Sequence, residues 1–389
     1  MTFTSFNDEA ALQFRAAVRA WLERELPPDW SERHLTATED ELYELRREWG
    51  KKLHAAGYAG LSWPRAYGGI EAGPIQEAIF YDEIANAHAP EGLGRIGRVM
   101  TGPLIIDCGT DEQKARYLPG ILDGSEIWCL GYSEPTAGSD LSSLVCTATR
   151  EGEGEGDGER YRIRGRKIWT SFAHHADRCQ LLARTSLERP RYQNISMFLV
   201  DMHQPGVTVL PIITAAGDHS FNEVLFEDAV VTVADRVGPE HEGWRIFQQS
   251  LRHERGGANA ISYYREMSHQ ASVLTSCCAR HARYPGALAA AEAVADEVNV
   301  VRWHIMRITE LEANGLPSRD TQLVLKLFWS ELWQKLSDLG SRLSCEAHRE
   351  FWRYSYLVSR AATVYSGTAE IQRNTIARRL LGAKRKAAT

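Results

Sequence analysis

Between Glu126 and Gly238 the spacing of apolar residues switches from a helical period to short alternating stretches, and after Gly243 the helical period returns almost to the end. A chain written in that order folds as helices, then β structure, then helices. Its 389 residues exceed the size at which one core usually stops growing. The expectation is an α+β multidomain protein without internal repeats: an N-terminal α-helical domain over 1–125, a central antiparallel β domain over 126–240 and a C-terminal helical bundle over 241–389.

Local signals supply the elements. In FNDEAALQFRAAVRAWLERELPP, Phe14, Val18, Trp21, Leu22 and Leu26 make one apolar stripe, which Pro27 and Pro28 end. A capping box from Thr38 to Glu41 opens a second helix, with Leu42, Leu45, Trp49 and Leu53 on one face and Gly57 at its close. Pro74 suits the first position of a third helix, and Thr110 with Gln113 caps a fourth. ERYRIRGRKIWT, ISMFLVDM, GVTVLPII and EVLFEDAVV read as strands, and the acidic, glycine-rich insert at 150–160 as a solvated hairpin tip. Further on, helix breaks fall near Tyr284 to Gly286, Gly315 to Ser318 and His348 to Arg353. Val324, Phe328, Leu332, Leu336, Leu339 and Leu343 form a bundle-core stripe, most of the eleven tryptophans read as core, and KRKAAT reads as a frayed tail.

Composition narrows the function. Apolar residues at 43% and charged residues at 25% are ordinary for a globular protein, and a net charge of −6 gives no pull toward nucleic acid or anionic lipid. No run of about 18 apolar residues is present, so no membrane span is expected. The opening MTFTSFNDEAALQF lacks the pattern of a signal peptide, which points to the cytoplasm. Seven cysteines show no CxxC pair or metal-ligand spacing, and His174 and His175 have no HxxxH partner; reduced thiols and no metal are expected.

Three stretches depart from core or surface norms. YSEPTAGSD at 132–140 is a glycine and hydroxyl cluster where backbone amides, Ser133 and Ser139 are able to meet a polar ring edge or phosphate; read alone it favours a plain loop. GRKIWTSFAHHAD at 165–177 sets Trp169 beside Thr170 and Ser171 on a strand, an indole and hydroxyls suited to a flat heterocycle, although a tryptophan there is more often core. SLRHERGGANA at 250–260 places Glu254 and Arg255 before Gly256 and Gly257 in a helical stretch. Such glycines cost about 1 kcal/mol each in a helix and suggest a close neighbour. A carboxylate at a cramped spot is able to act as a general base; a surface Glu is the simpler reading of this stretch alone.

Together and in this order, these stretches resemble the acyl-CoA dehydrogenase family of flavoproteins over nearly the whole chain. YSEPTAGSD stands where that family has TEPGAGSD, KIWTS where it has KxWITN, and YSGTAEIQR at 365–373 matches its closing YxGTxEIQR; WPRAYGG and CGTDEQK are further landmarks. The resemblance implies a helical N-terminal domain, a central β domain and a C-terminal four-helix bundle. It also implies FAD held by Tyr132, Ser133, Gly138, Ser139, Trp169, Thr170, Ser171, Thr368 and Glu370, and substrate met by Ser139, Arg255, Ser366 and Gly367. Where many relatives carry their catalytic glutamate, between Tyr and GT, this chain has Ser366. In another branch the base comes from a Glu-Arg pair on the helix after the β domain, which Glu254 and Arg255 match. The implied reaction is α,β-dehydrogenation of an acyl-CoA or acyl-carrier-protein thioester: Glu254 takes the α-proton, flavin N5 takes the β-hydride, and an electron-transfer flavoprotein is the acceptor.

Two family patterns are missing. RxxFG is not evident in SCCARHARYPGALAA, nor QxxGGxG in DLGSRLSCEAHREFW, and both concern the adenosine end of FAD. These losses resemble a bacterial branch of steroid and aromatic side-chain dehydrogenases, some built from two different subunits. A homo- or hetero-oligomer, dimer or tetramer, is therefore expected. Rival readings are a supporting subunit of a hetero-oligomeric dehydrogenase, or a flavin oxidase, monooxygenase or lyase on the same fold.

Overall fold

The structure, a computed structural model, describes residues 4–30, 39–90, 92–152, 159–254, 260–281, 285–380 and 382. The expected cap at Thr38, the 153–158 hairpin tip, the Tyr284 end of the expected break, the paired glycines after Arg255 and the KRKAAT tail lie outside the described residues. The chain divides into two compact units. One gathers Met1–Pro28, Ala72–Ala89 and Arg255–Thr389; the other gathers Asp29–Glu71 and Pro90–Glu254.

In the first unit, α1 (Glu9–Glu25) opens on Asp8, whose carboxylate accepts the Ala11 N–H at 2.8 Å. Val18, Trp21 and Leu22 are buried as the stripe requires. The helix α3 (Pro74–Asn86) starts with proline at its first position, as expected. Glu83 on α3 is 3% exposed and receives hydrogen bonds from Arg15 and, at 2.6 Å, from Arg19 of α1. The rest of the unit is a bundle of α7 (Ile261–Arg280), α8 (Ala287–Ala313), α9 (Arg319–Leu343) and α10 (Arg349–Ala362), followed by α11 (Ala369–Leu380). Phe6, Ala11, Ala78 and Ile79 share one core with Met267, Leu274, Val298, Ile305, Leu332 and Leu336. Residues from both ends of the sequence therefore close the same core.

One expectation for this bundle needs extension and another needs correction. On α9 the expected stripe lies at the core, with Leu332 and Leu336 buried and Phe328, Leu339 and Leu343 packed against it, while Leu325, Trp329, Trp333 and Gly340 join the buried face and Val324 is half-buried. The indoles set the rotation of the helix, since Trp329 stacks on Tyr263 at 4.1 Å and Trp333 donates from Nε1 to Gln270 at 3.1 Å. The break expected near His348 to Arg353 comes earlier. Ser344 turns extended, Glu346–His348 forms one 3-10 turn, and Arg349 to Arg353 is already helical. Gly340 faces Trp352, and a Cβ there would lie 2.1 Å from the buried ring. Gly340→Ala is expected to cost about 1–3 kcal/mol through overpacking, read as a lowered midpoint in urea unfolding.

The second unit holds α2 (Glu39–Ala55), α4 (Gly102–Cys108), α5 (Asp111–Asp123), α6 (Gly243–Glu254) and an eight-stranded sheet. Gly57 follows α2 with φ of 78°, and Thr110 with Gln113 forms the expected capping box of α5. Gln113 also donates to the Ala234 and Arg236 carbonyls at 2.7 and 2.9 Å, and so fixes α5 to the sheet. The strands are β1 (Trp128–Gly131), β2 (Thr147–Glu151), β3 (Arg160–Ser171), β4 (Arg178–Arg184), β5 (Ile195–Asp201), β6 (Val207–Ile212), β7 (Phe221–Thr232) and β8 (Arg236–Val237). They run in the order β6-β7-β3-β2-β4-β5-β8, with β1 beside β4. Long antiparallel pairings dominate, but β1 runs parallel to β4, as does the single bridge from β2 to β4. The chain between β1 and β4 is long enough for a parallel return, so the expected antiparallel β domain also carries this parallel pairing. Eight of the eleven tryptophans are buried; Trp169 and Trp303 are exposed and Trp244 is half-buried. Among the described residues, no helix is long and apolar enough to cross a membrane.

Candidate active site

Strand β3 alternates, so Tyr161, Ile163 and Lys167 share its inward phase. Lys167 is fully buried, and a buried ammonium needs partners. It has two: Nζ donates to Glu134 Oε1 at 2.8 Å and to the Tyr132 carbonyl at 3.2 Å. The Glu134 carboxylate also accepts the N–H groups of Val145 at 2.6 Å and Cys146 at 2.9 Å. The next residue of the strand, Ile168, donates its N–H to the Ser133 carbonyl at 2.9 Å. The 132–146 loop is thereby tied at several points to β3. YSEPTAGSD and KIWTS, read separately in the sequence, meet here, and Gly138 and Ser139 stay exposed on the outer part of the loop.

Immediately beyond, the pairing of β3 with β7 steps from Lys167↔Val224 to Thr170↔Asn222, one residue longer on β3 than on its partner. The bulge gives Trp169 a φ of 60° and turns its indole outward, 57% exposed, edge-on to Phe221 at 6.1 Å. Core packing is thus not its role. Thr170 is 1% exposed, yet its buried hydroxyl has no hydrogen-bond partner among the described residues. Buried polar groups normally have one, so an outward-turned indole beside an orphaned hydroxyl fits a flat heterocycle with polar edges. Ser171 follows, half-buried.

Tyr132 links this frame to α6. Gln180, fully buried on β4, donates to its hydroxyl; Ser250 Oγ lies 3.5 Å from that hydroxyl, and Phe247 meets the ring edge-on at 5.1 Å. Position 254 ends α6 four residues after Ser250 and so lies on the same face of that helix. The side chain of Glu254 and all of Arg255 lie outside the described residues.

In the bundle unit, the turn between α10 and α11 carries the other predicted residues. Ser366 and Gly367 take φ of 52° and 91°, and Gln372 Nε2 donates to the Ser366 carbonyl at 3.2 Å. Thr368 caps α11, its hydroxyl accepting the Ile371 N–H at 3.2 Å. Exposed Glu370 sits in the first turn, where its own backbone N–H and then the Thr368 hydroxyl hold its carboxyl below the usual range. From below, Lys326 donates to the Ala362 carbonyl at 2.7 Å and Gln334 to the Thr363 hydroxyl at 2.9 Å. Burial, and then neighbouring Tyr263, push the Tyr365 phenol far above its ordinary pKa, so it stays a neutral buttress.

Sequence reasoning missed Lys167, Glu134, Gln180 and Ser250 as the parts that hold the site together. One signal was present: a lysine on the inward phase of an alternating strand.

Comparison with known proteins matches this geometry to a family. The acyl-CoA dehydrogenase N-terminal, middle and C-terminal domain models match residues 8–125, 129–229 and 241–381 in order. The acyl-CoA dehydrogenase IpdE1 of Mycolicibacterium smegmatis is 37% identical over 394 residues, covering 96% of this chain and 98% of the relative. The protein of the same name from Mycobacterium tuberculosis is also 37% identical, with the same coverage. Among solved structures, the Tcur3481-Tcur3483 steroid ACAD gives a TM-score of 0.81 at 26% identity, covering 97% of this chain and 99% of that one. The ChsE4-ChsE5 complex from Mycobacterium tuberculosis gives 0.80 at 26%, with the same coverage. Matched in all three domains and along almost its full length, this chain belongs to the acyl-CoA dehydrogenase family.

Proposed function

We propose that this acyl-CoA dehydrogenase uses FAD to convert an acyl-CoA thioester to its trans-2-enoyl-CoA, with Glu254 as the base. The observation that carries the reading is the frame in which Lys167 and Glu134 hold the 132–146 loop beside the Trp169 bulge, while Tyr132 of that loop meets α6 one turn before position 254. The orphaned Thr170 hydroxyl and the outward indole supply the fit to FAD. Tyr132, Ser133, Gly138, Ser139 and Ser171 complete that set, with Thr368 and Glu370 assigned to the same cofactor. When bound, FAD supplies the acceptor for the β-hydride.

The chain supplies the proton chemistry. A thioester α-proton is too weakly acidic for a carboxylate unless charge developing on the carbonyl oxygen meets donors already in place. A backbone N–H of the 363–368 turn takes that part, so Ser366 contributes main chain where a carboxylate is lacking. Glu254 accepts the α-proton, and water exclusion by the acyl chain raises its basicity. Ser139, Arg255, Ser366 and Gly367 are assigned to the thioester. An electron-transfer flavoprotein is the proposed acceptor.

A second reading, a subunit completed by a different chain, is favoured by the departures at 276–290 and 338–352 and by the two-component names of the structural relatives. Expression of this chain alone separates the two. Stoichiometric FAD, bleached anaerobically by one of a panel of straight, branched, aromatic and steroid acyl-CoA thioesters with enoyl product, is the expected result. A colourless protein that turns yellow only with a second polypeptide supports the second reading. Bound flavin that no acyl-CoA bleaches, or a product other than the enoyl thioester, counts against dehydrogenation.

A further inference from the structure

Three side chains that dehydrogenation does not use converge inside the bundle unit. Cys277 lies on the last turn of α7, and Cys345 and His348 lie in the link between α9 and α10. Their two sulfurs and one imidazole nitrogen all lie within 4.8 Å of one another. Cys345 Sγ is 3.2 Å from His348 Nδ1, and the Cys345 N–H donates to Cys277 Sγ at 2.9 Å. The local fold explains the meeting. Residues three apart eclipse in a 3-10 turn, so Cys345-Glu346-Ala347-His348 puts both its ligand types on one side, facing the end of α7. Cys277 is fully buried while Cys345 and His348 are half-buried, which leaves an approach from solvent.

The chemistry of the set is specific. Zinc takes thiolate at about 2.3 Å and imidazole at about 2.0–2.1 Å, so tetrahedral angles place such ligand atoms about 3.5–3.8 Å apart. One pair stands at 3.2 Å and all three atoms lie within 4.8 Å of one another, so side-chain rotations would bring them to that separation.

We propose that Cys277, Cys345 and His348 form a binding site for a borderline-soft divalent cation of the zinc type, three protein ligands with a fourth position open to water. Within this unit the site is separate from the Ser366 turn: all 14 residues of α10, about 21 Å of helix, lie between His348 and that turn. It coincides with the two stretches where the chain departs from its family's pattern, 276–290 and 338–352. An ion held there would tie the end of α7 to the α9–α10 link.

The test is zinc uptake by the chelator-treated, reduced holoenzyme, measured by elemental analysis after gel filtration, with thermal unfolding in parallel. The wild type is expected to retain stoichiometric zinc and to melt at a higher temperature with it. Cys345→Ser and His348→Ala are expected to lose both effects, and Cys108→Ser, a thiol of the other unit, to keep them. His348→Ala, at a half-buried position, keeps the test open should Cys345→Ser fold poorly. Substoichiometric zinc in the wild type, or uptake undiminished in the variants, overturns the proposal. A reduced protein that takes up no zinc yet closes a Cys277–Cys345 disulfide in air overturns it as well.

Discussion

Glu254→Gln is expected to keep its flavin and lose turnover by about two to four orders of magnitude, the range that removal of a general base costs. Glutamine preserves size and hydrogen bonding but accepts no proton. Position 254 is the last of α6, and the anchors of that helix, Phe247 beside Tyr132 and Gln249 accepting from the Cys108 thiol at 2.8 Å, lie a turn or more before it. Folding and cofactor binding are therefore expected to be spared. Steady-state rates with an artificial electron acceptor, set against the flavin-to-protein absorbance ratio, separate chemistry from cofactor loss. The acidic limb of the pH–rate profile is expected to vanish with the carboxylate. A variant turning over at the wild-type rate would assign the proton to another group.

The second large effect concerns the frame. In Glu134→Leu the Lys167 ammonium stays buried with only the Tyr132 carbonyl, and the N–H groups of Val145 and Cys146 lose their acceptor. Breaking a buried pair on one side costs about 3–5 kcal/mol, and each abandoned buried N–H adds about 1–3 kcal/mol. Such a loss is a large share of a typical folding free energy. The variant is expected to melt far below wild type and to emerge from gel filtration without flavin. Glu134→Gln keeps one oxygen acceptor and should fall between the two. An unchanged melting temperature for Glu134→Leu would show that the pair does not hold the loop.

The sequence carried its strongest messages where pattern and chemistry coincide. Pro74, Thr110 and the long strands β3 and β7 stand where local rules put them, because each rule concerns residues a few positions apart. β1 and β2, of four and five residues, are too short to show a period, and β4 is buried from Cys179 to Ala183, which erases alternation. On α9, Trp329 and Trp333 join Leu332 and Leu336 in the core, and the leucine spacing alone does not mark which tryptophans face inward. At the site, the two motif stretches were legible as motifs, but the buried Lys167–Glu134 pair that joins them spans 33 positions. No local rule reaches that far, nor the 68 positions between Cys277 and Cys345.

The interleaving of the chain has a consequence for its synthesis. Phe6, Ala11, Ala78 and Ile79 pack with one another, but most of the core they share is made of residues from Ile261 onward. At ordinary elongation rates the ribosome needs roughly 10–30 s to travel from the end of α3 to α7. During that interval the sheet-bearing unit is synthesised up to Glu254, and the apolar side chains of the first helices lack most of the residues that will cover them. Those first helices are where a chaperone would find its hold.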